Sequence, residues 1–135
     1  MNEPAVRIGD DGRTLHVNGK PIPWAILTKR QVPMRSCEFR YRQALIPFEN
    51  GWQVSIVWGS GTYSDNHDFD GPFTETPVLV EVAVLNCEGL TETPDCDTVL
   101  GYATGEQVLE LIEVVATWHT GRPEPWPDVW RVKPT

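Results

Sequence analysis

The sequence predicts an α+β fold: an antiparallel β-sheet with one C-terminal helix packed on it, followed by a proline-rich tail. Three observations lead there. Trp52–Trp58 alternates apolar and polar residues at the two-residue period of a half-buried strand. Residues 104–118 repeat apolar side chains at helical spacing behind a capping signature. Twelve Pro and eleven Gly in 135 residues favour short strands and many turns over a helical bundle. A chain of this length fits one domain, and 40% hydrophobic residues suffice for a core. The division expected is a polar lead-in over 1–12, an α+β body over 13–121 and a tail over 122–135.

In chain order, Arg13–Val17 alternates, and Asn18-Gly19 is a hairpin signal. Ile22–Leu27 could return as a strand, confined to an edge by Pro21 and Pro23. Thr28–Ser36, basic and containing Pro33, reads as a loop. Cys37–Pro47 resumes strand character through Phe39, Tyr41, Ala44, Leu45 and Ile46. Asn50-Gly51 then separates two apolar runs, as a type I′ turn would. The strand after it presents Trp52, Val54, Ile56 and Trp58 on one face.

Residues 59–76 form a long polar loop, of the kind that is often functional. Pro77–Leu85 is nearly all apolar, with only Glu81 interrupting, and predicts a central strand covered on both faces. Residues 86–97 are a second acidic loop, and Thr98–Tyr102 a short strand. Thr104-Gly-Glu-Gln107 matches a capping box, and Val108, Leu111, Ile112, Val115 and Trp118 mark the buried stripe. Gly121 and Pro123 are expected to stop the helix.

Charge is unevenly distributed. Net charge is −8, yet Lys29–Arg42 holds five bases (Lys29, Arg30, Arg35, Arg40, Arg42) against Glu38 alone. From Gln43 to Gly121 there is no Lys or Arg and there are thirteen acids. Duplex nucleic acid is therefore not expected as a partner, since phosphate binding needs a basic face. A protein partner, basic in character, fits the charge better. No apolar run reaches the length of a membrane span. Met1–Asp10 carries no secretory pattern, so the expected location is the cytoplasm. Cys37, Cys87 and Cys96 are odd in number and widely spaced, which suits free thiols in a reducing compartment.

Specific chemistry finds little support. Asn66, Asp68 and Asp70, followed by Gly71, match the opening of a calcium loop. The match ends there, because position twelve is Pro77, where a bidentate Glu is needed. These three are weak cation candidates and no cofactor is expected. His16, His67 and His119 have no zinc spacing. Gly59-Ser60-Gly61 is neither a nucleophile elbow nor, lacking a following Lys, a phosphate loop. Six tryptophans are many for this length. Trp52, Trp58 and Trp118 suit a core. Trp24, Trp126 and Trp130 sit in proline-rich segments, where full burial is harder; exposed, they are interface anchors, and packed inward, those of the tail staple it to the body instead.

Three segments carry a resemblance: Phe48–Tyr63 (FENGWQVSIVWGSGTY), Val80–Val84 (VEVAV) and Val99–Val108 (VLGYATGEQV). In this F-x-N-G hairpin, glycine-rich Tyr loop, V-E-V-A-V strand and T-x-E-x-V helix the chain resembles small uncharacterised proteins of tailed phages and prophages. The likeness covers roughly residues 48–118 and leaves out the first 47 residues and the tail. It implies a phage-encoded or bacterial accessory protein and supplies no activity.

The reading that follows is a non-enzymatic accessory or binding protein acting through protein contacts with an acidic face, an inhibitor of a basic or nucleic-acid-binding host protein if phage-encoded. The expected contact residues are Tyr63, Asp65, Asp68, Asp70, Glu106, Glu110, Glu113, Trp126 and Trp130. Two alternatives stand beside it: a structural or self-assembling component, and a small enzyme or cation-binding module built on loop 59–76. Oligomeric state is left open.

Overall fold

The computed structural model describes residues 4–34, 37–59, 62–65, 74–86, 89–90 and 99–127. They form two antiparallel sheets and one helix. The small sheet runs β1 (Val6–Ile8), β2 (Leu15–Val17) and β3 (Lys20–Ile22), in that order across the sheet. The large sheet contains β4 (Ile26–Met34), β5 (Cys37–Pro47), β6 (Gln53–Gly59) and β7 (Val80–Asn86) side by side. Two short strands, β8 (Gly89–Leu90) and β9 (Leu100–Ala103), share the outer edge of β7. The helix α1 (Gly105–Val115) follows β9 directly.

Alternation along the strands sets the core. Ala44, Ile46, Val54, Ile56, Trp58, Val80, Val82 and Val84 are buried on one face of the large sheet. The helix covers them with Val108, Leu111, Ile112 and Val115, joined by Trp118. Burial of each such side chain contributes about 1.5–3 kcal/mol. The capping box is formed: the Gln107 N–H donates to Thr104 Oγ1 at 3.3 Å and the Thr104 N–H to Gln107 Oε1 at 3.0 Å. Gly105 suits the next position, where any side chain would crowd its neighbours. A Cβ there would lie 3.1 Å from the Ala5 Cα and 3.1 Å from Asn18 Oδ1.

Several expectations are corrected. Residues 1–12 are not simply a polar lead-in. Ala5 and Val6 are fully buried, β1 pairs with β2, and the Ala5 N–H donates to the Pro77 carbonyl at 2.7 Å. Ala5, Val6 and Ile8 are too few, and too close together, to show a periodicity. Thr28–Met34 is not a loop but part of β4, while Arg35 and Ser36 lie outside the described residues. Pro33 is tolerated there since β4 is the edge strand. Ile22–Leu27 is broken by a turn, with the Ala25 N–H donating to the Ile22 carbonyl. The helix ends at Ala116, before Gly121.

The Asn-Gly signals divide. Asn18 and Gly19 both have positive φ (50° and 83°), as a type I′ turn requires. At Asn50-Gly51 only the glycine does, at 89°. Phe48 and Trp52 face one another across three loop residues, with the Gly51 N–H donating to the Phe48 carbonyl. Asn50 serves a different purpose. Its amide donates to the Val115 and Trp118 carbonyls, both at 2.9 Å, and its Oδ1 accepts the Trp52 N–H at 3.0 Å. Finally, β7 is central by pairing, and its second face is covered in part: Ala83 is buried while Glu81 and Leu85 are half-exposed.

Candidate functional site

The β6 strand ends at Gly59, whose φ of 116° turns the chain away from the sheet. The loop beyond is tied back by hydroxyls. Thr62 Oγ1 donates to the Gly59 carbonyl at 2.8 Å, and the Gly59 N–H donates to Ser64 Oγ at 3.3 Å. The Thr62 and Ser64 hydroxyls lie 2.8 Å apart, and both residues are buried. Tyr63 between them is turned outward and is 51% exposed. Its N–H donates to Glu81 Oε1 at 3.0 Å and its carbonyl accepts the Tyr102 N–H at 2.8 Å.

Tyr102 completes the site. Its ring lies 6.3 Å from that of Tyr63 at 58°, and it is 49% exposed. Its φ is +54°, a left-handed conformation that costs a bulky L-residue about 1–2 kcal/mol. Gly101 permits the arrangement, since a Cβ there would sit 2.7 Å from the Tyr63 Cβ. Two aromatic rings are thus held at the surface by strained, hydrogen-bonded backbone. Asp65, two residues on from Tyr63, donates its N–H to the Leu79 carbonyl at 3.4 Å and accepts the Val78 N–H on Oδ2 at 2.9 Å. Arg42, in contrast, is committed to Glu75 through contacts of 2.8, 2.9 and 3.2 Å.

The other expected contact residues are scattered. Glu106, Glu110 and Glu113 are exposed on α1, over the face the helix covers. Glu81 belongs to the opposite face of the sheet, alternating with buried Val80 and Val82. The described acids therefore lie on two sides of the sheet. Trp126 is no exposed anchor; it is 7% exposed and packs edge-on to Trp118 at 4.9 Å, which meets Trp52 at 5.3 Å. The Trp118 Nε1–H donates to the Pro125 carbonyl at 2.6 Å and the Trp52 Nε1–H to the His119 carbonyl at 3.0 Å. This part of the tail is a staple. Asn66, Asp68, Asp70 and Trp130 lie outside the described residues, as do Cys87 and Cys96.

Sequence reading missed Tyr102. A Gly-Tyr pair in a short strand carries a faint hint of close backbone approach, but the strain follows from tertiary contact. Trp24 is 51% exposed, as its proline-rich setting predicts, but the shallow groove of about 520 Å³ that it lines with Pro47, Phe48 and Glu49 was not foreseen. Among the described residues no three His, Cys, Asp or Glu side chains are grouped to hold a metal. No helix among them is long and apolar enough to cross a membrane. Compared with family models, curated proteins and solved structures, the chain matches none.

Proposed function

We propose that this chain is a non-enzymatic binding protein that acts by protein contact, with the Tyr63–Tyr102 pair as its anchor and a basic partner. The observation that carries the reading is the strained backbone at Tyr102, which holds a second ring at the surface beside the first. Rigid exposed tyrosines give large contact area at low entropic cost. Glu81, which accepts the Tyr63 N–H, and Asp65, two residues on, supply negative charge near this segment, which suits an arginine or lysine laid over an aromatic face. The exposed acids of α1 would add attraction at longer range. The resemblance to small tailed-phage proteins fits an accessory role of this kind, and the basic partner would then belong to the host.

The test uses a nonaarginine peptide as probe. Titrated into isotope-labelled protein, it is expected to shift the backbone amides of 62–65 and 100–103 first. The affinity should fall at least tenfold between about 50 and 500 mM salt. Tyr102→Asn should abolish the shifts while keeping the fold, because Asn tolerates positive φ. Shifts confined to the helix acids, or none at millimolar peptide, overturn the assignment of the site.

A further inference from the structure

The chain holds three tyrosines, Tyr41, Tyr63 and Tyr102, and the fold brings two of them together. Tyr63 and Tyr102 are 39 positions apart in sequence, yet their ring centroids lie 6.3 Å apart. That is inside the range of about 4.5–7 Å over which aromatic rings touch. The backbones beneath the rings are fixed. The Tyr63 carbonyl accepts the Tyr102 N–H, the Tyr63 N–H is held by Glu81, and Gly101 sits too close to the Tyr63 Cβ to carry a side chain. The rings themselves are half-exposed. Exposed side chains turn about their χ angles in picoseconds to nanoseconds. The ring carbons beside the two hydroxyls can therefore face one another at the van der Waals distance of about 3.5–4 Å. Tyr41 is placed differently: it stands on β5, with β6 and β7 between it and β9.

We infer that Tyr63 and Tyr102 form an oxidative modification site, at which the two rings become covalently joined through their Cε carbons. The oxidant is hydrogen peroxide acting through a haem peroxidase. Each phenol gives one electron to the peroxidase and its O–H proton to water, which half-exposed hydroxyls can reach. The unpaired electron of each phenoxyl is shared onto the ring carbons next to the oxygen. Two such carbons, one from each ring, pair their electrons in a new C–C bond. The hydrogen on each bonded carbon then moves to its own oxygen and restores both phenols. The protein loses two hydrogen atoms in all, and one hydrogen peroxide becomes two waters.

The bond closes a covalent ring from Tyr63 to Tyr102 and ties the segment after β6 to β9, where hydrogen bonds alone hold it otherwise. Cross-linking a loop of this length narrows the unfolded ensemble, and the joined protein should melt about 10 °C higher. The inference stands on the geometry of the two rings and is independent of what that surface binds.

The test treats dilute protein with a haem peroxidase and hydrogen peroxide. The expected product is a monomer lighter by two hydrogen atoms, with the fluorescence of a biphenol and a yield that does not change on dilution. Digestion must be at glutamate, since no Lys or Arg lies between Gln43 and Gly121, and it should return one peptide pair joined at Tyr63 and Tyr102. Tyr63→Phe and Tyr102→Phe should each abolish the product, while Tyr41→Phe should leave it. If Tyr102→Phe fails to fold, Tyr63→Phe, at an outward-facing side chain, decides alone. Urea should lower the yield at least tenfold, because separation along the chain then replaces contact. A link made through Tyr41, products that form only between molecules, an equal yield in urea, or a joined protein that melts below the untreated one overturns the inference. So does absence of the product while free tyrosine in the same mixture couples. None of these outcomes alters the nonaarginine test of the function proposed above.

Discussion

Replacing Asn50 with Asp should destabilise the protein more than replacing it with Ala, although Asp is the closer match in shape. Asn50 makes three hydrogen bonds of 2.9, 2.9 and 3.0 Å, two of them to carbonyls at the end of the helix. At about 1 kcal/mol each, and with some rehydration of the freed carbonyls, Asn50→Ala should cost about 2–3 kcal/mol. Asp keeps the bond from the Trp52 N–H but turns a double donor into an acceptor facing two carbonyl oxygens. It also places negative charge at the negative end of the helix dipole, about 0.3–1 kcal/mol more. Asn50→Asp should therefore cost about 3–4 kcal/mol at neutral pH. For a chain of this length that is about 10–20 °C in Tm, against about 6–12 °C for Ala. Calorimetry at pH 7 reads both. Turn preference alone makes the opposite forecast, because Asp-Gly suits a hairpin as well as Asn-Gly. An Asn50→Asp protein melting within about 2 °C of wild type would refute the reasoning.

Other outcomes follow from single contacts. Thr104→Ala should cost about 1 kcal/mol by removing the N-cap acceptor, read from urea denaturation. Trp52→Phe should cost more than Trp58→Phe, measured the same way. Trp52 donates to the His119 carbonyl, whereas the buried Trp58 Nε1 has no partner among the described residues, so its loss removes a penalty of about 1–3 kcal/mol. Trp126→Ala should cost about 3–5 kcal/mol and alter the fluorescence of the Trp52–Trp118–Trp126 cluster. The Asp11 carboxyl is lowered from 3.8 to about 2 by the Thr14 hydroxyl first, then by the N–H groups of Arg13 and Thr14. A carboxyl depressed in the folded state stabilises above its unfolded pKa and stops doing so as pH falls through the folded value. The contribution should thus be whole above about pH 4 and fade toward pH 2, and Asp11→Asn should flatten that limb of the stability curve.

Local signals in the sequence were good guides to local structure. The capping box at Thr104, the buried stripe of α1 and the alternation of Trp52–Trp58 depend on residues within a turn or a strand of one another, and all three are found. What escaped depends on distant partners. β1 is a strand because Pro77 and Val17 stand beside it, not because of its own pattern. Pro33 reads as a loop residue until β4 is known to be an edge strand. Asn50 stands in a turn, as its pairing with Gly51 predicts, though not of type I′, and its amide acts on carbonyls 65 and 68 residues away. Of the contact residues expected, Tyr63 and Asp65 fall together, the helix acids stand apart on the other side of the sheet, and Trp126 is drawn inside. Tyr102 carries its strain because Tyr63 and Gly101 force it, and no short-range pattern encodes that.

The two ends of the helix have a consequence for how the chain is made. The start of α1 closes against Ala5 and Asn18, and its end is held by Asn50. All three leave the ribosome well before the helix does. At translation rates of about 5–20 residues per second, Asn50 waits about 3–13 s for Val115. Through that interval the apolar face of the strands already synthesised has no cover. Slower synthesis would lengthen that exposure of apolar strand surface, and with it the opportunity for aggregation.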